Sequence, residues 1–198
     1  MKFALVNDLK TQATKGVRGT CLNCGSPMIA NCGPIKIHHW AHKNIRNCDQ
    51  WWENETAWHR QWKNKFPKDW QEISLLDDKT GEKYIADVRT EHDLVLEFQH
   101  SFIKSEERIS RENFYKNMVW VVDGCRSDLD KSYFQMGLSG PIQKSPLAYQ
   151  ITWLGKSRIL NNWRESEAIV FLDFGEDMLW RLVSFDNQKK IGSISNSS

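Results

Sequence analysis

The sequence predicts a mixed α/β (α+β) fold. Its core runs in the order helix, strand, strand, strand, helix, strand. A small Cys/His-rich lobe precedes it, and β additions come after it. Three observations predict this. Four of the five cysteines and three of the six histidines fall between Cys21 and Cys48. Apolar residues at helical spacing occur over 53–66, and 105–117 reads as a second helix. Most of the remaining apolar residues form short β-prone runs bounded by turn residues.

Taken in order, "MKFALV" reads as an opening strand, and Gly16 and Gly19 punctuate the residues after it. Residues 21–48 lack a long periodic stretch, as expected of a lobe stapled by metal. In "ENETAWHRQWKNKF" (53–66) Ala57, Trp58, Gln61, Trp62 and Phe66 form a stripe that predicts a helix ended by Pro67. Strands are expected over "QEISLLD" (71–77), "EKYIADV" (82–88) and "LVLEFQ" (94–99), the first leading into the turn signal "DKTG". Helix 105–117 takes Ser105 as its N-cap. "MVWVVDG" (118–124) reads as a strand buried on both faces. Residues 125–150 read as irregular. "YQITWL" (149–154) is a further strand, and "AIVFLDF" with "MLWRLVSF" is a hairpin across "GED". The Ser/Asn-rich tail from Gln188 reads as frayed. The expected organisation is a zinc-finger-like lobe (1–50), the core (51–124), a β-rich extension (125–187) and a flexible tail (188–198).

The chain has 198 residues and a formal charge of +2. That length suits one domain with an appendage. No apolar run approaches twenty residues and no charged-then-apolar leader is present, so the expectation is a cytoplasmic protein without a membrane partner. Residues 1–70 carry eleven Lys/Arg against five Asp/Glu, and residues 71–198 carry sixteen against twenty. A basic N-terminal part beside an acidic remainder permits a local phosphate-facing surface. There are ten tryptophans. Trp58, Trp62 and Trp120 are expected in the core, and Trp40 between the lobe and its neighbour. Trp51 and Trp52 fit either packing or base stacking.

Cysteines crowded with histidines in a reducing compartment point to metal rather than disulfides. Cys21-Leu-Asn-Cys24 is a C-x2-C and His39-Trp-Ala-His42 an H-x2-H. Two close pairs from separate segments supply the four S/N ligands of a tetrahedral structural zinc. Gly25 suits the tight turn after the first pair. Cys32, Cys48 and His38 are alternatives, each able to replace one of the four.

A second constellation is acidic. On strand 94–99, Val95, Glu97, Gln99 and Ser101 share one face. Asp87 lies near the end of the preceding strand, so a hairpin sets it almost opposite Glu97. Two carboxylates that close call for a cation, and Mg²⁺ or Mn²⁺ takes such oxygen ligands. Glu55, His59 and Lys63 are spaced i, i+4, i+8 and share a helix face. They can supply a metal ligand, a proton-transfer group and a phosphate contact.

These stretches resemble the competence protein CoiA-like family, whose core looks like the PD-(D/E)xK, restriction-endonuclease-like fold. The matching pieces are Cys21 and Cys24, "HHWAH" ending at His42, "ETAWHRQWK", "ADV" with Asp87, "LEFQHS", Arg111, Tyr115 and "WVVD" with Trp120. "VFLDFGEDMLW" resembles a recurring C-terminal segment. The resemblance implies a metal-dependent deoxyribonuclease that hydrolyses DNA phosphodiester bonds, in competence, recombination or phage-related DNA processing. It implies Asp87 and Glu97 as ligands of a catalytic Mg²⁺ or Mn²⁺, with Glu55 as a further ligand or orienting acid. The usual Lys two residues after the Glu is Gln99 here. Lys63 is the candidate to supply that charge, with His59 assisting. Arg111 and Tyr115 are candidate contacts to the nucleic-acid backbone. The alternative is a zinc-stabilised nucleic-acid-binding protein that does not cleave.

Overall fold

The structure is a computed structural model. It describes every residue except 45–47, 50, 52–54, 79, 145–146, 154 and 198. It is mixed α+β and mostly sheet, with four α-helices among the described residues. The chain divides into two compact units, Met1–Leu96 and Glu97–Ser198.

The first unit opens with β1 (Phe3–Val6), β2 (Leu9–Gln12), β3 (Arg18–Thr20), β4 (Pro27–Asn31) and β5 (His39–His42). They pair antiparallel in the order β2-β1-β3-β4-β5. The β1–β2 turn sets Asn7 and Asp8 at φ +49° and +61°, the conformation of a tight hairpin whose twist matches its strands. Ala4, Cys21, Met28 and Trp40 pack as a buried cluster. Trp40 is 1 % exposed and donates its ring N–H to the Thr11 carbonyl at 2.9 Å. A buried indole that satisfies its one donor fixes β5 at little polar cost.

Helix α1 (Ala57–Lys63) comes next, shorter than the apolar stripe suggests. Thr56 caps it, its hydroxyl accepting from the His59 N–H at 3.3 Å while His59 Nδ1 accepts from the Thr56 N–H at 3.2 Å. The face it buries carries His59 and Lys63, whereas Trp58 and Trp62 are only half-buried and lie edge-on to each other. The apolar stripe therefore misidentifies the inward face. An ammonium with carboxylate partners takes that place instead, since a buried charge is tolerated when it is paired. After a 3-10 turn (Lys68–Trp70) come β6 (Gln71–Leu76), β7 (Lys83–Arg89) and β8 (Val95–Gln99), an antiparallel meander. The unit boundary falls within β8.

The second unit continues with α2 (Ser105–Tyr115), β9 (Met118–Asp123), α3 (Asp128–Gly137), β10 (Leu138–Lys144), β11 (Leu147–Thr152), α4 (Arg158–Trp163), β12 (Ile169–Asp173), β13 (Leu179–Asp186) and β14 (Ile191–Ser197). The strand order is β10-β11-β14-β13-β12-β9-β8. β9 and β12 are parallel, and β12 and β13 form the hairpin expected across "GED". Trp120, Leu160, Leu172, Ile151 and Ile194 are fully buried, and Trp120 meets Trp163 edge-on at 5.1 Å.

Three expectations are corrected here. Residues 125–150 hold α3 and β10 rather than an irregular stretch. Gly137 lets the end of α3 approach β11, where a Cβ would come within 2.4 Å of the Thr152 carbonyl oxygen. The Ser/Asn-rich tail forms β14, paired on both sides by β11 and β13. Backbone pairing on both sides and the buried Ile194 side chain hold it. The N-cap of α2 is Lys104, so Ser105 is the first helical residue and makes no cap.

Candidate functional site

The first unit holds two polar clusters. In one, the ligand atoms of Cys21, Cys24, His42 and Cys48 all lie within 4.8 Å of one another. Cys21 Sγ is 3.6 Å from Cys48 Sγ, and Cys24 Sγ is 3.4 Å from His42 Nε2. A tetrahedral zinc with Zn–S bonds of about 2.3 Å spaces its sulfurs by about 3.8 Å, so the donor set fits a metal such as zinc. Gly25, at φ +71°, closes the knuckle, its N–H donating to the Cys21 carbonyl at 3.0 Å.

His39 is not part of this cluster. Side chains alternate along a strand, so on β5 His42 shares its face with the buried Trp40 and His39 points the other way. His39 instead pairs Nδ1 with the Ile37 carbonyl at 2.9 Å and Nε2 with Asn31 at 3.3 Å. An H-x2-H on a strand cannot close on one ion, and Cys48 from beyond the strand supplies the fourth donor. Neither Cys32 nor His38 takes that place.

Cys21 and Cys48 are in direct sulfur–sulfur contact. The hydrogen bond from the Cys48 thiol holds Cys21 down at about 4, and the same contact pushes Cys48 up. Asn23 braces the pair. Its N–H reaches Cys21 Sγ at 3.3 Å, and its side-chain amide reaches the Cys48 carbonyl and the Lys83 carbonyl, each at 3.2 Å. Such outer partners orient metal ligands.

The second cluster centres on Lys63. Its Nζ lies 2.8 Å from Glu72 Oε1, 3.0 Å from Glu55 Oε1 and 3.7 Å from Asp87 Oδ1. Burial alone would push the ammonium down, but Glu72, Asp87 and Glu55 outweigh it and hold the pKa well above its usual value. Burial would likewise raise Glu55. Lys63 and Arg60 overcome that and pull it to about 2, Arg60 gripping both oxygens at 2.8 and 3.0 Å. Glu72 also accepts from the backbone N–H groups of Lys2 and Phe3, at 2.7 and 2.9 Å. Glu72 sits at φ +47° at the start of β6. The register Gln71↔Val88 and Ile73↔Ala86 sets it level with Asp87. Sequence reading misses Glu72. A Glu at a strand start reads as a solvated end, and its left-handed backbone leaves no sequence signal.

No family model, curated protein or solved structure matches the chain. The site is therefore read from its own chemistry. Among the described residues, no helix is long and apolar enough to cross a membrane.

In the second unit, Glu97 accepts from Arg111 at 3.1 Å, and Gln99 donates to the Ser101 carbonyl at 3.2 Å. Both are buried. Arg111 is buried too and also pairs with Glu107 at 2.5 Å. Arg111 and Tyr115 are thus interior residues of α2, not exposed contacts for a nucleic-acid backbone. The reason is Glu97, whose buried carboxylate requires a cation partner. Trp51 stacks on Tyr84 at 3.6 Å, which gives it a packing role. Trp52 lies outside the described residues.

Proposed function

We propose that this chain is a divalent-metal-dependent nuclease that hydrolyses DNA phosphodiester bonds, with a structural zinc in the Cys21–Cys24–His42–Cys48 centre. The observation that carries the reading is Lys63 Nζ, buried beside Asp87, Glu55 and Glu72. A nuclease of the PD-(D/E)xK type needs a fixed positive charge near its acids. The strand position that usually provides it holds Gln99. Lys63 offers the same charge from α1. The element order α1, β6, β7, β8, α2, β9 also agrees with the restriction-endonuclease-like core and the CoiA-like resemblance.

The resemblance assigns Asp87 and Glu97 to Mg²⁺ or Mn²⁺, and Asp87 is the one that lies beside Lys63. The ion, when bound, polarises a phosphate oxygen and acidifies a water. Lys63 stays protonated, so it acts as a fixed charge and not as a general base. Glu55 and Glu72 hold that ammonium in place. His59 spends Nδ1 on the Thr56 cap and so positions α1 rather than moving a proton through that atom. DNA processing of the competence, recombination or phage kind is the setting the resemblance implies.

One observation favours a second reading, a zinc-stabilised nucleic-acid-binding protein that does not cleave. Asp87 and Glu97 each already have a cationic neighbour, Lys63 and Arg111. Incubation with circular, linear and single-stranded DNA in Mg²⁺ or Mn²⁺ decides between them. Cleavage that Asp87→Ala abolishes supports the enzyme. Salt-dependent DNA binding with no cleavage in either ion supports the binder.

A further inference from the structure

A shallow concavity, enclosing about 20 Å³ and open to solvent, lies in the second unit beside the end of β8, lined by His100, Phe102, Asp123, Arg126, Asp130 and Arg158 among others. Its acids are spent locally. Asp123 accepts from His100 Nδ1 at 2.7 Å and from the Cys125 N–H at 2.8 Å. Asp130 is buried and accepts from the backbone N–H groups of Arg158 and Ile159, at 3.0 and 3.3 Å. Its arginines are not spent. Arg126 and Arg158 are exposed, and neither guanidinium meets a hydrogen-bond or ion-pair partner among the described residues.

The imbalance has a chemical meaning. Two guanidiniums with open donor forks in one concavity favour a planar or tetrahedral oxyanion, and Arg is suited to phosphate in particular. Asp123 anchors the His100 ring at the wall of the same pocket. Phe102 lies on the lining and is 58 % exposed, a flat apolar surface on which a base stacks. The enclosed space is only about 20 Å³, so a ligand sets its phosphate oxygens there and leaves the rest of itself in the open mouth beside Phe102.

We propose that this pocket binds the phosphate of a nucleotide, with Arg126 and Arg158 on the phosphate and Phe102 against the base. The choice of a nucleotide rests on the nucleic-acid reading above, whereas the pocket's preference for an oxyanion does not. The source is either the phosphorylated end of a strand or a free nucleotide.

The test is fluorescence anisotropy without divalent ion, using a short 3′-labelled single strand with a 5′-phosphate or a 5′-hydroxyl. Deoxyadenosine monophosphate and inorganic phosphate are titrated separately by calorimetry. The expected result is that R126Q/R158Q weakens at least one phosphate probe by about tenfold or more, the scale of losing charge-assisted pairs. Loss of the 5′-phosphate preference identifies a strand end, and loss of mononucleotide binding identifies a free nucleotide. The control is K144Q/K189Q, which removes two exposed charges elsewhere in the same unit. Wild-type protein that binds no probe overturns the proposal. So does R126Q/R158Q that binds like wild type, or a control that loses as much. Wild-type protein that binds a probe through the arginines yet never cuts DNA overturns the nuclease reading and leaves the pocket standing.

Discussion

Lys63 Nζ donates to Glu72 Oε1 at 2.8 Å, and both side chains are almost wholly buried. This contact joins α1 to β6. Because Glu72 also holds the backbone of Lys2 and Phe3, it ties β1 to the same point. Removing one partner of such a pair leaves the other charge buried and uncompensated. Lys63→Met is expected to lower stability by about 3–5 kcal/mol, read from urea unfolding. A loss below about 1 kcal/mol, the scale of an exposed ion pair, would show that the cluster is wet and weak.

The same cluster sets an acid limit. Glu55 sits at about 2 in the folded chain against an ordinary 4.5. A carboxyl whose pKa is depressed on folding stabilises the fold above its unfolded value. That contribution is complete above about pH 4.5 and disappears as pH falls towards 2. The urea midpoint of the wild type should therefore drop across this window. Glu55→Gln should start lower and change less there. Parallel curves for the two proteins would contradict the assignment.

Metal content separates Cys48 from His39. Cys48→Ser removes one of four donors and is expected to lower bound zinc well below one equivalent per chain, measured by elemental analysis of purified protein. His39→Ala leaves Cys21, Cys24, His42 and Cys48 untouched and should retain it. The reverse pattern would restore the H-x2-H arrangement.

Cleavage tests the acids. Asp87→Ala and Glu97→Ala are each expected to abolish DNA hydrolysis in Mg²⁺ or Mn²⁺ while the circular dichroism spectrum stays that of the wild type. Wild-type rates from Asp87→Ala would place the chemistry elsewhere.

Much of the local structure was legible in the sequence because its causes are local. "YIADV" and "LVLEFQ" alternate or run apolar over strand lengths, and β7 and β8 form there. "GED" predicts the β12–β13 hairpin, and the hairpin is present. C-x2-C brings Cys21 and Cys24 together through one turn, which needs no knowledge of the rest of the chain. Ile191–Ser197 was not legible, because its composition is that of a loop and only the open edges of β11 and β13 make it a strand.

What the sequence alone determined is therefore the short-range part: the strand and helix segments, the knuckle at Cys21 and Cys24, and the set of residues able to carry chemistry. What only the tertiary structure decided is which of them meet. His42 and Cys48 join the sulfur cluster while His39 does not, since a strand presents alternate residues to opposite faces. Glu72 joins Lys63 because a left-handed residue at the start of β6 carries its carboxylate to a buried ammonium. Arg111 pairs inward with Glu97 instead of facing solvent. Periodicity reports which face a residue occupies, but partnership across tens of residues comes from packing and from the cost of leaving a buried charge alone.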